Sequence, residues 1–141
     1  MKKQFAALAA VCLLVVLGSV AYAHHPFAAE YDWTKPVTVT GTVSSVEWTN
    51  PHASLQIDGK DDTDQTAHWT FEMGSPGALT RLGWTRNALK MGDMVTVEGW
   101  RAKTGPNKGN MKSVKLSDGK ELSGASSIGE IKKPGAKPAT N

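Results

Sequence analysis

Cysteine is almost absent from this chain of 141 residues, because its single cysteine, Cys12, lies inside an apolar run near the start. The chain beyond that run contains no thiol, which excludes disulfide bonds, a cysteine nucleophile and a thiolate metal site there. Hydrophobic residues make up 40% of the sequence, which is enough for the core of one domain. The stability of that domain must therefore come from its core.

Several motifs with well-defined chemistry are also missing. No glycine-rich loop leads into a Lys-Ser or Lys-Thr pair, so a phosphate-binding loop is not indicated. No serine lies in a nucleophile-elbow pattern. The aspartates between Asp58 and Asp64 resemble a calcium loop only in their acidity, because the EF-hand glycine and distal glutamate are lacking. We therefore expect a binding protein rather than an enzyme.

The one long apolar run has the features of a secretory signal. Two lysines precede it, the run extends from Phe5 to Val20, and Ala21-Tyr22-Ala23 forms an A-x-A cleavage site. We predict that residues 1–23 are removed, so that His24 becomes the first residue of the mature protein. This predicts a periplasmic protein that has no membrane anchor after cleavage.

Charge is unevenly distributed over the rest of the chain. Residues 24–98 contain five bases and ten acids, a net charge of −5, whereas residues 99–141 contain nine bases and three acids, a net charge of +6. Export and the acidic first part argue against a nucleic-acid partner. We expect the partner to be a small molecule or another periplasmic protein.

The basic end of the chain has the composition of a disordered segment. Residues 124–141 are rich in small residues, proline and lysine and show no apolar period, so they cannot bury enough surface to offset the entropy of ordering. We predict a disordered basic tail over 124–141 and expect its deletion to leave thermal stability nearly unchanged. Residues 24–35 are interpreted as an N-terminal arm, and residues 36–123 as the folded domain.

Within residues 36–123 the hydrophobic period is two, which predicts β-strands. In the first strand Val37, Val39 and Val43 share one face, and the parity changes near Ser44-Ser45, where we predict a β-bulge. An acidic turn is predicted at 58–62. Four further strands are centred on residues 53–57, 67–73, 95–97 and 114–116.

A short helix is predicted between the third and fourth strands. Ser75 is a suitable N-cap, Pro76 suits the first helical position and Gly83 suits the end, while Leu79 and Leu82 supply an apolar side. Three strands, a helix and two strands predict a mainly β fold, a small five-stranded OB-like barrel. An antiparallel β-sandwich is the alternative, because short strands joined by turns suit it as well.

Several segments together resemble a known family. They are His24 to Asp32, beginning His-His-Pro-Phe, then Gly41 to Val43, Glu47-Trp48-Thr49-Asn50-Pro51-His52, Trp69 to Glu72, Gly83 to Arg86, Gly92 to Gly99 and the closing Asp118-Gly119. These segments look like those of an exported proteobacterial family of unknown function, which has serine at the position of Pro26. The resemblance implies a periplasmic OB-like domain and supplies no catalytic residue.

The mature N-terminus is a candidate metal site. If cleavage frees the α-amine of His24, that amine and the Nδ1 atom of the same residue can chelate copper, because amine and imidazole donors suit Cu(II). A second imidazole, such as that of His25, would complete the site, and Glu30 or Tyr31 could lie nearby. A copper protein using His24 and His25 is therefore the alternative function. A simply accessible terminus is the competing interpretation.

Strand pairing decides whether His52 and His68 can share a metal ion. If Ala53 lies opposite Phe71, the two histidines are four residues apart along one face, or about 13 Å. This register excludes a shared metal site. It predicts instead that His52 and Glu72 are near neighbours.

Five tryptophans are many for a chain of this length. Trp69 has the inward parity of its strand, whereas Trp48 adjoins His52 at a strand end, where OB-folds present ligand-binding loops. We predict a site at this end that stacks on a planar ligand or a sugar. Its candidate residues are Trp48, Asn50, His52, Glu72, Trp84, Arg86 and Trp100. The alternative is that these tryptophans only close the ends of the barrel.

Overall fold

In the computed structural model, which describes residues 27–126, a short helix leads directly into a long first strand. Helix α1 spans Phe27–Glu30 and strand β1 spans Tyr31–Glu47. Regular structure therefore extends upstream of residue 36, the predicted start of the domain, into the predicted arm. The reason is that Phe27 and Tyr31 are both buried, so this part of the predicted arm packs onto the domain.

Five more strands and one more helix follow β1. They are β2 Ser54–Asp61, β3 Thr66–Glu72, α2 Pro76–Arg81, β4 Met94–Ala102, β5 Lys108–Leu116 and β6 Glu121–Ser123. The predicted order of strands, with a helix between the third and fourth, is confirmed. The short β6, which pairs only with β5, is an addition to the five predicted strands.

The strands form a single sheet that closes on itself. Its order is β3-β2-β1-β4-β5-β6, and an additional pairing joins β3 to β5. The β3–β5 pairing is parallel and the others are antiparallel. A closed ring of five strands results, which is the architecture expected of the predicted small β-barrel.

Strand β1 pairs with β2 on one side and with β4 on the other, and it bends at a β-bulge. Its register with β2 shifts between Val43 and Ser45, which confirms the predicted bulge. Before the bulge Gly41 lies opposite Gly59, and a Cβ atom on Gly59 would lie 2.5 Å from the carbonyl oxygen of Thr40. The two backbones therefore approach more closely here than any side chain would permit.

The register of β2 with β3 differs by two residues from the predicted one. Leu55, not Ala53, lies opposite Phe71. A shift of two keeps every side chain on its predicted face, so the inward and outward assignments survive. The hydrophobic pattern is equally compatible with both registers and could not distinguish them.

The turn between β2 and β3 sets this register. Strand β2 continues to Asp61, so most of the predicted turn at 58–62 is strand. The carboxylate of Asp61 accepts hydrogen bonds from the backbone N–H groups of Thr63 and Gln65, and from the guanidinium of Arg101 at 2.9 Å. These bonds place the reversal of the chain after Asp61.

Helix α2 begins and ends as predicted. The Ser75 hydroxyl accepts from the N–H of Ala78, and Gly83 takes a left-handed conformation with φ of 90°. The N–H of Trp84 then bonds to the carbonyl of Leu79, which completes a Schellman motif. This turn directs Trp84 into the core. Of the two leucines predicted to form the apolar side of the helix, Leu79 is buried and Leu82 is half exposed.

The core fills the inside of the ring. Its largest fully buried side chains are Trp69, Phe71, Leu55, Ile57, Met73, Leu79 and Met111, with Val37, Val39, Val43, Val95 and Val97. Most of the inward residues predicted for the first four strands are thus confirmed as core, whereas Val46, Trp48 and Ala67 are only partly buried against it. Within residues 27–126, no helix is both long enough and apolar enough to cross a membrane.

Backbone pairing continues beyond β6. The N–H of Gly124 donates to the carbonyl of Lys112, and the Gly124 carbonyl accepts from the N–H of Gly74, both at 2.8 Å. Ala125 packs against the core. Gly124 and Ala125, the first two residues of the predicted tail, therefore pair with or pack on the domain. The rest of the predicted tail and the predicted signal segment lie outside the described residues.

The end of the domain can be tested with two truncations. A chain ending at Ser126 should keep the melting temperature of the full chain. A chain ending at Ser123 loses two backbone hydrogen bonds of about 1 kcal/mol each. It should melt at least about 4–8 °C lower. Equal melting temperatures for the two truncated chains, measured by circular dichroism, would contradict this boundary.

The close approach of β1 and β2 predicts a steric effect. Gly59→Ala should lower the free energy of unfolding by about 1–3 kcal/mol, because the new methyl group meets backbone that cannot move aside. Gly77→Ala in α2 is the matched control, since its Cβ atom would meet only the end of Arg81 at 3.9 Å. Urea unfolding of both variants checks the difference, and equal effects would show that the strands can separate.

Candidate functional site

Three polar side chains from distant parts of the sequence meet at one end of the ring. The Tyr31 hydroxyl donates to Oε2 of Glu72 at 3.0 Å, and Nδ1 of His52 lies 3.0 Å from Oε1 of the same carboxylate. Both oxygens of Glu72 are therefore held. The predicted proximity of His52 and Glu72 is confirmed, although the pairing from which it was predicted is wrong.

The backbone explains why His52 still reaches Glu72. Ser54 lies directly opposite Glu72, and the pairing continues one step beyond the strand ends. The carbonyl oxygen of Ala53 accepts a hydrogen bond from the N–H of Met73, and the N–H of Ala53 donates to the carbonyl oxygen of Gly74. His52 therefore lies diagonally across from Glu72, within reach of a long side chain.

Tyr31 is fixed by aromatic contacts at the start of β1. Its ring centroid lies 5.3 Å from that of Phe27, and Phe27 meets Trp100 edge-on at 5.7 Å. The backbone N–H of Lys103 also donates to the carbonyl of Glu30, which joins α1 to the loop after β4. The hydroxyl of Tyr31 is thereby positioned over β3.

A cavity of about 470 Å³ opens beside the Glu72 carboxylate. Its lining includes Tyr31, His52 and Glu72, together with hydroxyl and charged side chains: Ser54, Thr70, Thr104, Glu30 and Lys108. OB-folds bind their ligands on the face of strands 2 and 3, bordered by the loop between strands 4 and 5. The cavity occupies the equivalent place in this chain.

Burial and charge keep the Tyr31 phenol neutral. Burial raises the pKa of Tyr31, and the adjacent Glu72 carboxylate raises it further. The phenol is consequently a hydrogen-bond donor throughout the neutral range. The Glu72 carboxylate accepts this bond.

The predicted aromatic surface is not assembled. Trp84 is only 2% exposed, and its ring N–H donates to the carbonyl of Ser123 at 2.7 Å. Trp48 packs against Trp84 with ring centroids 6.2 Å apart, whereas Trp100 packs on Phe27. The Schellman turn that ends α2 accounts for this, because it points Trp84 inward.

Of the four other predicted ligand-binding residues, two line the cavity and two do not. His52 and Glu72 line the cavity, whereas Asn50 and Arg86 are exposed and lie outside its lining. Sequence reasoning missed Thr70 and Lys108 among others. The outward parity of Ser54, Thr70 and Glu72 on the second and third strands was the signal that could have indicated this face.

The histidines do not form a shared metal site in the described part of the chain. His68 lies opposite Asp58, with its Nδ1 atom 2.7 Å from the carboxylate, and not opposite Gln56 as the predicted register required. Residues 27–126 contain no cluster of three or more His, Cys, Asp or Glu side chains that could hold a metal ion. His24 and His25 lie outside the described residues, so a copper site there stays a prediction.

Comparison with known protein families gives a match over most of the chain. Residues 10–112 match the model of a family described as "Family of unknown function (DUF6152)". No curated protein and no solved structure matches the chain. The matched segment contains Tyr31, His52 and Glu72, so the site lies within the family domain.

Tyr31 provides a pH test of the site. Stability linked to its neutral phenol is fully present below the unfolded pKa of about 10 and is lost as the pH rises further. In a Tyr22→Phe chain Tyr31 is the only tyrosine. Its phenolate absorbance should appear near pH 10 after unfolding, but only at higher pH in the folded protein. Identical titration curves would contradict the buried contact with Glu72.

Proposed function

The chain belongs to the DUF6152 family, whose function is unknown, and from the geometry of the site we propose that it is a small binding protein. Its ligand occupies the cavity at the His52 end of the ring. The observation that supports this is the Glu72 carboxylate, held by Tyr31 and His52 beside a cavity of about 470 Å³. That volume lies within the range of small-molecule sites, about 300–1,000 Å³.

The lining indicates the chemistry of the ligand. Glu72 and Glu30 are carboxylates, and they favour a ligand that donates hydrogen bonds from a cationic group, because charge-assisted bonds are the stronger ones. Lys108 and the nearby hydroxyl groups can bond an oxygen of the same ligand. A small amine that also carries a hydroxyl or other oxygen fits both requirements.

The contacts of Glu72 and the residue types that line the cavity favour ligand binding over catalysis. Each oxygen of the Glu72 carboxylate already has one contact that holds it in place, and each can still accept a second hydrogen bond from a ligand. The cavity lining contains no cysteine. The serine and threonine hydroxyls of the lining have no histidine bonded to them that would activate a nucleophile. These groups suit recognition of a ligand without covalent chemistry.

We also propose that the protein is exported and acts in the periplasm. Two lysines, an apolar run and Ala21-Tyr22-Ala23 support this. The ligand would then be a small molecule of that compartment, with no nucleic-acid partner.

Ethanolamine is a suitable probe, because it combines an ammonium group with a hydroxyl. We expect a Kd of about 1 mM, because so small a ligand makes few contacts. Binding should be seen in NMR spectra as shifts of the amide resonances of Ser54, Thr70 and Gly109. Glu72→Gln should abolish these shifts by removing the carboxylate charge. Glu98→Gln is the control, because Glu98 pairs with Lys112 at 3.1 Å and lies outside the cavity lining.

Two results would overturn the proposal. One is the absence of any shift at these amides up to high ethanolamine concentration. The other is an equal response in Glu72→Gln and in the native protein, which would show that the carboxylate does not bind the amine.

A further inference from the structure

The cavity is bordered by one lysine whose charge is not matched by an acid. Lys108, the first residue of β5, is the only lysine or arginine among the described residues that line the cavity. Its side chain forms no ion pair and no hydrogen bond with any residue in the range 27–126. The lysine is therefore available to a ligand.

The register of the sheet brings Lys108 close to Glu72. Thr70 lies directly opposite Lys108 in the parallel pairing of β3 with β5, and Glu72 lies two residues further along β3. All three residues line the cavity, so they lie on one face of the sheet. Paired strands lie about 4.8 Å apart and each residue advances the strand by about 3.3 Å, which places the Cα atoms of Glu72 and Lys108 about 8 Å apart.

Glu72 and Lys108 differ in how firmly they are held. The carboxylate oxygens of Glu72 are contacted by the Tyr31 hydroxyl and by Nδ1 of His52, each at 3.0 Å. Lys108 is exposed, and its charge is carried on a flexible four-carbon chain that can turn toward a bound molecule. A fixed negative group and an adjustable positive group therefore border the same cavity without forming an ion pair with each other.

We infer that the cavity binds a small zwitterion of the amino-acid class, an inference that rests on the proposed function. The ammonium group of the ligand donates hydrogen bonds to Glu72, and its carboxylate accepts them from Lys108. Bonds at both ends are charge-assisted, which makes them stronger than bonds between neutral groups. An α-amino acid suits the short distance between the two strands, because both of its charged groups are attached to the same carbon atom.

A ligand with a single charge matches only part of this cavity. A simple amine binds Glu72 but leaves Lys108 without an acid. A carboxylate without an amine binds Lys108 but lies close to the carboxylates of Glu30 and Glu72, and like charges repel each other. A zwitterion is attracted at both ends.

Three molecules with two carbon atoms each separate the effects of the two charges. Glycine carries both charged groups, ethanolamine carries the ammonium group alone, and glycolate carries the carboxylate alone. Each is titrated into the full chain, and binding is followed by NMR at the amides of Ser54, Thr70 and Gly109. The Kd of glycine should be about tenfold lower than that of ethanolamine, because glycine gains a hydrogen-bonded ion pair with Lys108. Glycolate should bind more weakly than either.

Lys108→Gln tests the carboxylate end of the site. It should weaken the binding of glycine by about tenfold and that of ethanolamine by a clearly smaller factor, because only glycine loses an ion pair. Lys115→Gln is the matched control, since Lys115 is also an exposed lysine of β5 but lies outside the cavity lining. It should bind both molecules as the native protein does.

Two results would overturn the inference and leave the proposed function standing. One is an affinity for glycine no higher than that for ethanolamine. The other is an equal effect of Lys108→Gln and Lys115→Gln on glycine binding, with circular dichroism showing that both variants fold. The absence of amide shifts with all three molecules would overturn the proposed function together with the inference.

Discussion

The parallel pairing of β3 with β5 is the constraint on which the site depends. It closes the ring, and it brings the loop after β4 against the outward face of β3. Thr70 donates its N–H to the carbonyl of Asn107, and Gly109 allows the ring of Phe71 to approach, since a Cβ atom there would lie 2.8 Å from that ring. Without this closure Lys108 and Glu72 would not border one cavity.

The closure also explains a row of side chains on the outside of the sheet. Ser54, Glu72, Asn110 and Trp100 are successive cross-strand neighbours on β2, β3, β5 and β4. Helix α1 covers part of this row through the contact of Phe27 with Trp100. Among the described residues, the Oδ1 atom of the buried Asn110 has no hydrogen-bond partner. The Asn110 side chain is thus placed by strand pairing and not by a hydrogen bond to its carbonyl oxygen.

The sequence predicts the structural features that neighbouring residues decide, but not the contacts between residues that are far apart in the chain. The bulge at Ser44-Ser45, the Ser75 cap and the Gly83 end are decided by neighbouring residues, and the period of two identifies the core face. The register of β2 with β3 depends on the Asp61 turn. The alternation of apolar and polar residues cannot reveal it, because a register shift of two residues leaves every side chain on the same face. The contact of Tyr31 with Glu72 spans 41 residues, and only the folded ring brings the two together.

The Asp61 turn has a consequence for experiments in acid. Hydrogen bonds from Thr63 and then from Arg101 lower the pKa of Asp61, so its stabilising effect is fully present above the unfolded pKa of about 4 and is lost only as the pH falls further. The alignment of β2 with β3 is therefore insensitive to mild acidification. A loss of ligand in weakly acidic solution would therefore not come from a change in this turn or in the alignment that it sets.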